Sequence, residues 1–461
     1  MEVPLKQLTQ RCAWLRRLQM GVGTSLMLAF LLSLNAVFNF WQHDAHSSGI
    51  DFFVLWSIPH VWKTKAVANI YAADGQRDIA SVLITESSSP QVSTAQREAT
   101  AINMQLNDNR MAVTGSPLVY ALVGLTASGI YEKDLSRFRF ASFLCFLGGM
   151  LILCRLLQFS LVSTLLAVAL FTSSFQPLLA DMWVANLNQI QLLSLACFLL
   201  FVSLSWEVVA GLVLGGGVML KPNIVIVAFL AVLVSLADRE YGRMTRLLLG
   251  MCLAALLSVA ISESYFGQLA MWPDFIQSLP RTLGTSAPME NGNIGLAVLL
   301  FRTMRWEVST YILVILMAIV SIAIYKARWH RAANLAAPPV RGAIESTRSM
   351  DGMFVVVGLG CAVMLMSSRL VWPHYYVLLI PLELYLLRPS GGSRPRRRFV
   401  ISLLAGIVFC LFSRPMWHAM ANMLQGSIAL NAATALIFIL ALCETGWQVE
   451  LDQVKNVASA S

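Results

Sequence analysis

The chain has 461 residues, 57% of them hydrophobic and only 12% charged, with a net charge of +9. Soluble globular domains carry about 25% charged residues, so half that share, with a mean hydropathy of +0.69, argues against a soluble enzyme and for lipid as the solvent. The basic residues fall in short clusters between apolar runs, as in cytoplasmic membrane loops, which argues against nucleic acid as a partner. At about 20 residues per crossing, roughly ten to thirteen helices fit. The expected fold is an all-α polytopic integral membrane protein.

In chain order, the first expected span is 20–40, preceded by Lys6, Arg11, Arg16 and Arg17. No small-residue cleavage site follows, so it reads as a retained span with a cytoplasmic N-terminus. Residues 42–115 then form a long non-cytoplasmic segment. Phe52 to Trp62 suits a helix lying on the membrane surface, and 84–100 reads as a solvated loop. Further apolar runs are expected at 116–131, 139–157, 159–180, 187–205, 207–220 and 222–237. The basic stretch 238–246 marks a cytoplasmic turn before a run at 247–262.

A second outer loop, 263–307, is followed by runs at 308–325, 353–368 and 375–387. Arginines 388, 394, 396, 397 and 398 then mark the inside, and runs at 399–413 and 428–444 leave the C-terminus cytoplasmic. The alternation is consistent from 238 onward but not before it. If Lys133, Arg137 and Arg139 are cytoplasmic, an even number of passes must separate them from 238, yet five runs are present. One must be re-entrant, split or fused, with 159–180, which carries Pro177, and 207–220 the candidates.

The eight cysteines lie mostly inside apolar runs and form neither a disulfide framework nor a zinc spacing. His43, Asp44 and His46 make only a weak metal cluster and read as part of a solvated loop. The glycine-rich "GLVLGGGVML", 211–220, reads as close helix packing.

Polar residues at membrane depth are costly and suggest function. Four places stand out, all mapped to the outer side: Asp51; Asp181 with Asn186, Asn188, Gln189 and Gln191; Lys221; and His374. Each has a plainer reading. Asp51 can cap the helix that starts at Phe52, Lys221 can snorkel, the amides can be interhelical glue, and His374 can belong to an aromatic belt. Arg302 and Arg305 can be ordinary flanking charges.

Together these segments resemble glycosyltransferase family 87, in the GT-C superfamily of polyprenyl-phosphate-sugar-dependent membrane enzymes. "GIDFFVLWSIPHVWKTKAVANIYAAD" is similar to that family's segment after the first span. "SPLVYALVGLTA", "ANLNQIQLLSLACFLLF", "AGLVLGGGVMLKPNIVIVAFL", "MENGNIGLAVLLFR" and "VWPHYYVLLIPL" follow in family order, over residues 49–385. Departures occur at Leu55, Ser116, Ala185 and Gly295. The resemblance implies a GT-C-like catalytic region over 1–388, with two large non-cytoplasmic loops. Residues 389–461 would add C-terminal helices and a cytoplasmic tail.

It also implies a chemistry. Asp51 matches the family's catalytic base, which takes the proton of an acceptor hydroxyl as that oxygen attacks the anomeric carbon. The departing phosphate gains charge and needs donors; His374, Arg302 and Lys221 are the candidates. Trp56 and Tyr71 would stack on sugar faces, and Asn188 would contact the donor's phosphate or sugar. The implied partners are a polyprenyl-phosphate hexose, mannose by family habit, a lipid or glycan acceptor, and membrane lipids. No cofactor is implied and no divalent metal is required. The expected location is the plasma (inner) membrane, with the site on its outer face. A transporter or flippase is the main alternative, since the same polar residues would line a pathway. A lipid-linked-glycan polymerase or ligase shares the donor class.

Overall fold

The computed structural model describes residues 47–460 except 66, 68, 270, 285–291, 307, 335–342, 389–394, 421 and 422, together with Met27 and Leu31. The expected first span and the His43, Asp44, His46 group therefore lie outside the described residues. Among the described residues there are nineteen α-helices and no strand.

The segment expected as an outer loop is folded. Helices α1 (Ile50–Thr64), α2 (Ala73–Ser87) and α3 (Thr94–Leu106) are followed by α4 (Pro117–Thr126). They share a small core that includes Phe53, Trp56, Ile79, Leu83, Met104 and Tyr120. The expected loop 84–100 is thus corrected: only the residues between Ser87 and Thr94 are irregular. The Ser93 hydroxyl accepts from Gln96 N, a side-chain cap that starts α3. The run 116–131 also stops early. α4 has ten residues, a length of about 15 Å, against a hydrocarbon core of about 30 Å.

Next come α5 (Tyr131–Leu156), α6 (Leu161–Ser174), α7 (Gln176–Val184), α8 (Asn188–Ser203) and α9 (Glu207–Leu220). A 3-10 turn at Pro222–Ile224 leads into α10 (Val225–Ala237) and then α11 (Tyr241–Phe266). The run 159–180 is split as Pro177 suggests: Phe175 adopts an extended backbone and α7 begins beyond it. The glycine run works as expected. A Cβ on Gly211 would overlap the Leu247 carbonyl, and one on Gly250 that of Val208, so α9 and α11 meet backbone to backbone.

The rest comprises α12 (Met271–Gly284), α13 (Leu296–Met304), α14 (Ser309–Asn334) and α15 (Ala343–Ser367). A 3-10 segment, Pro373–Leu379, runs into α16 (Ile380–Leu387), followed by α17 (Pro395–Leu411), α18 (Arg414–Ala419) and α19 (Met423–Ala460). Residues of α17 and α19 belong to the same large core as α5–α10, α15 and α16, so the C-terminal helices are built into the bundle. Among the described residues, three helical stretches are long and apolar enough to cross a membrane: Tyr131–Leu156, Tyr241–Phe266 and Gln425–Glu444. Several shorter apolar helices accompany them.

The Tyr131 hydroxyl donates to the carbonyls of Ser48 and Gly49. The buried Arg139 guanidinium donates to Ser47 and to the carbonyls of Met182 and Trp183. The cluster of Lys133, Arg137 and Arg139 therefore lies at the same end of the bundle as Asp51, not at the opposite end. Arg139 is consumed by carbonyls at helix ends, so it is not a topological loop charge.

Candidate active site at a meeting of helix ends

Four breaks in the helical backbone converge on Asp51. They are the start of α1, the α7–α8 junction, the end of α9 and the start of the 3-10 segment at Pro373. Each is encoded locally. Gly49 takes the left-handed conformation (φ 61°) before α1, where a Cβ would overlap Leu135. Ala185 is also left-handed (φ 56°) at the end of α7. Pro222 and Pro373 each open a 3-10 stretch and cannot donate to a preceding turn.

Helix ends leave backbone groups without partners, and side chains of the cluster satisfy them. Asn188 Nδ2 donates to the His374 carbonyl (3.2 Å), Gln191 Nε2 to that of Lys221 (3.0 Å), and the Ser116 hydroxyl to that of Leu220 (3.3 Å).

Asp51 is not the helix cap. The cap position belongs to Gly49, and the Asp51 carboxylate lies in the first turn of α1, where an anion is favoured by the helix dipole. Its Oδ2 accepts from Asn186 Nδ2 (2.6 Å) and lies 3.4 Å from His374 Nε2. Among the described residues nothing donates to Oδ1, and a third of the Asp51 side chain stays accessible. Burial pushes its carboxyl above the usual carboxylate range, while the Asn186 hydrogen bond and the Lys221 charge pull it back down.

Lys221 does not snorkel away. Its Nζ donates to Asn186 Oδ1 (2.9 Å) and Asn188 Oδ1 (3.3 Å) and sits 4.0 Å from the centre of the Tyr375 ring. An ammonium has three N–H groups; two go to the asparagine oxygens and the ring of Tyr375 lies against the third side. Behind it, the fully buried Asp181 accepts from Asn188 Nδ2 (2.7 Å) and Gln189 Nε2 (2.9 Å). The Gln189 Oε1, Gln191 Oε1 and Asn223 Nδ2 atoms are buried beside this set with no hydrogen-bond partner among the described residues.

Of the residues singled out from the sequence, Asp51, His374, Lys221 and Asn188 are brought together. Asn188 is fully buried and spends both its N–H groups on Asp181 and His374, so it supports Lys221 and does not face a ligand. Two expected sugar platforms are closed. Trp56 is buried, its indole N–H bonded to Asp134 Oδ2 (3.1 Å) and its ring stacked on His60. Tyr71 is buried, its hydroxyl donating to the Gly115 carbonyl and its ring against Phe275. Neither ring presents a free face. Arg302 stands half-buried on α13, outside the hydrogen-bonded set around Asp51.

The sequence reading included Asn186 in the polar cluster but did not select it, although it touches Asp51, His374 and Lys221 at once. Its position in a non-helical junction, outside any hydrophobic periodicity, was the available signal. Tyr375, beneath Lys221, was missed because it reads as an ordinary interfacial aromatic. Among the described residues no group of three or more His, Cys, Asp or Glu side chains is placed to hold a metal. Chemically, the arrangement offers an open carboxylate oxygen next to a buried cation. No family model matches the chain, and no curated protein or solved structure proves similar to it.

Proposed function

We propose that the chain is a polytopic integral membrane glycosyltransferase. It moves a hexose, mannose in the first instance, from a polyprenyl-phosphate donor to a lipid or glycan acceptor. The observation that supports this reading best is the Asp51 carboxylate, with one oxygen anchored by Asn186 and the other open, beside Lys221. Asp51 Oδ1 takes the proton of the acceptor hydroxyl as that oxygen bonds to the anomeric carbon. The bond from that carbon to the donor phosphate breaks, and its electron pair leaves on the phosphate oxygen. The phosphodiester becomes a monoester with added negative charge, which the positive charge of Lys221 stabilises. A single displacement of this kind inverts the anomeric configuration.

Membrane residence follows from the same features. Leu248, Leu249, Leu253, Leu256 and Leu257 are exposed along α11, a surface suited to lipid and not to water. Trp183 at the Asp51 end, and Trp206 and Tyr241 at the other, are exposed aromatics suited to the two interfaces. In this reading the site faces the outer side of the plasma membrane and both termini are cytoplasmic. The lipid tail of the donor enters between helices.

The test is transfer of label from polyprenyl-phosphate-[14C]mannose to a membrane lipid extract by purified protein. Label recovered in new lipid or glycan products supports the reading. A second reading, a transporter, draws support from one observation: the polar set lies at broken helices, as coupling sites in transporters do. Counterflow of labelled donor in sealed proteoliposomes, without transfer, would favour it.

A further inference from the structure

We infer that Asn186 is a positioning residue: its amide holds Asp51 and His374 side by side as two proton acceptors and fixes the imidazole with its proton on Nδ1.

The orientation of the amide follows from its partners. Oδ1 lies 2.9 Å from Lys221 Nζ and 2.6 Å from Leu187 N. An ammonium and a backbone N–H only donate, so the atom facing them is the carbonyl oxygen. The NH2 group therefore faces Asp51 Oδ2 (2.6 Å) and His374 Nε2 (3.2 Å). It has no lone pair to offer, so Nε2 must accept, and a neutral imidazole then carries its proton on Nδ1.

Asp51 Oδ2 and His374 Nε2 are 3.4 Å apart. Two atoms presenting lone pairs repel at that separation unless a donor serves both. The two hydrogens of one amide do so, one to each. Both hydrogens and both carbonyl lone pairs of Asn186 are then spent within the protein. Nothing is left for a substrate, so the residue acts through Asp51 and His374. Lys221 at the end of α9, Asp181 on α7, Tyr375 on the 3-10 segment, and Tyr131 and Arg139 on α5 are the other titratable or charged groups around this pair. None of them contributes a hydrogen bond to Asp51 among the described residues.

Asn186→Leu removes the donor without adding a charge. The variant keeps the bulk of the side chain and puts an apolar group where the NH2 was. The first measurement is nitrogen NMR of the purified protein carrying [15N]histidine, with the His374 signals assigned by their loss in His374→Gln. Wild type is expected to show Nδ1 protonated and Nε2 bare at neutral pH, and Asn186→Leu to show Nε2 gaining a proton, which it can then donate to Asp51 Oδ2 3.4 Å away. A wild-type proton on Nε2, or a spectrum unchanged by the substitution, overturns the assignment.

The second measurement rests on the transferase reading. The acid limb of the pH–rate profile should move up by about one to two pH units, the worth of one hydrogen bond to an ionised group. Transfer near neutral pH should fall by about tenfold or more. A purely structural role for Asn186 would leave the limb where it was. If neither protein transfers sugar but the NMR result holds, the transferase reading fails and the assignment of Asn186 stands.

Discussion

Two buried polar clusters lie at the same end of the bundle, and they differ in what they leave open. Around Asp134 the accounts are closed. The carboxylate accepts from Trp56 Nε1, from Ser128 N and Oγ, and from Gly129 N, with Arg137 3.8 Å away. Nearby, Arg139 ties the segment before α1 to the end of α7. Around Asp51 one carboxylate oxygen and, behind Lys221, three buried amide atoms have no hydrogen-bond partner among the described residues. Burial and charge are common to both. Unspent hydrogen-bonding capacity is what separates the Asp51 cluster from the Asp134 cluster, and an unsatisfied buried group is expensive to keep.

The largest separation between the clusters should come from Lys221→Met. Removing the cation that faces the departing phosphate should lower transfer by about 10²–10³-fold, read by steady-state kinetics with the lipid donor. Asn186 Oδ1 and Asn188 Oδ1 lose a donor, so the unfolding midpoint in detergent should fall as well, by less than the loss of transfer would imply.

The closed cluster should respond in the opposite sense. Arg139→Met strands the carbonyls of Ser47, Met182 and Trp183 and should cost about 3 kcal/mol. This would be seen as a lowered thermal midpoint, with specific activity kept in the fraction that stays folded. Comparable activity losses for the two variants would erase the distinction.

A change of pH gives a graded test. A base works only when ionised, so transfer should fall as pH is lowered. Burial raises the Asp51 carboxyl, so the fall should begin at a higher pH than for a solvated carboxylate. A rate flat through the mildly acidic range would remove Asp51 from the role of base. The smallest effect is expected for Trp56→Phe, which loses the bond to Asp134 and should cost about 1 kcal/mol of stability with transfer unchanged. A large loss of transfer there would return Trp56 to the site despite its burial.

Much of the site was legible in the sequence because isolated polar residues in apolar runs are rare enough to notice. Asp51, Lys221 and His374 were found that way, and the glycine run and the breaks at Pro177 and Lys221–Pro222 follow from backbone rules. Three features were hidden for physical reasons. α2 and α3 bury few apolar side chains among many polar ones, so their pattern looks like solvated loop. Arg139 counts as a loop charge in any tally of basic clusters, yet it is neutralised by helix-end carbonyls that only the fold brings near. Trp56 and Tyr71 look like platforms because aromatic type is visible in sequence, whereas Asp134, which takes the Trp56 indole N–H, and Phe275, which covers the Tyr71 ring, are remote in the chain.

The most direct test pairs the two carboxylates. Asp51→Asn and Asp134→Asn would be purified alongside wild type and measured for donor binding, sugar transfer and thermal midpoint. The expected result is that Asp51→Asn keeps its fold and its donor but loses transfer by about 10²–10⁴-fold, the usual worth of a positioned base. Asp134→Asn should lose stability and keep transfer per folded molecule. An Asp51→Asn protein that transfers sugar at the wild-type rate would contradict the assignment of Asp51 as the base.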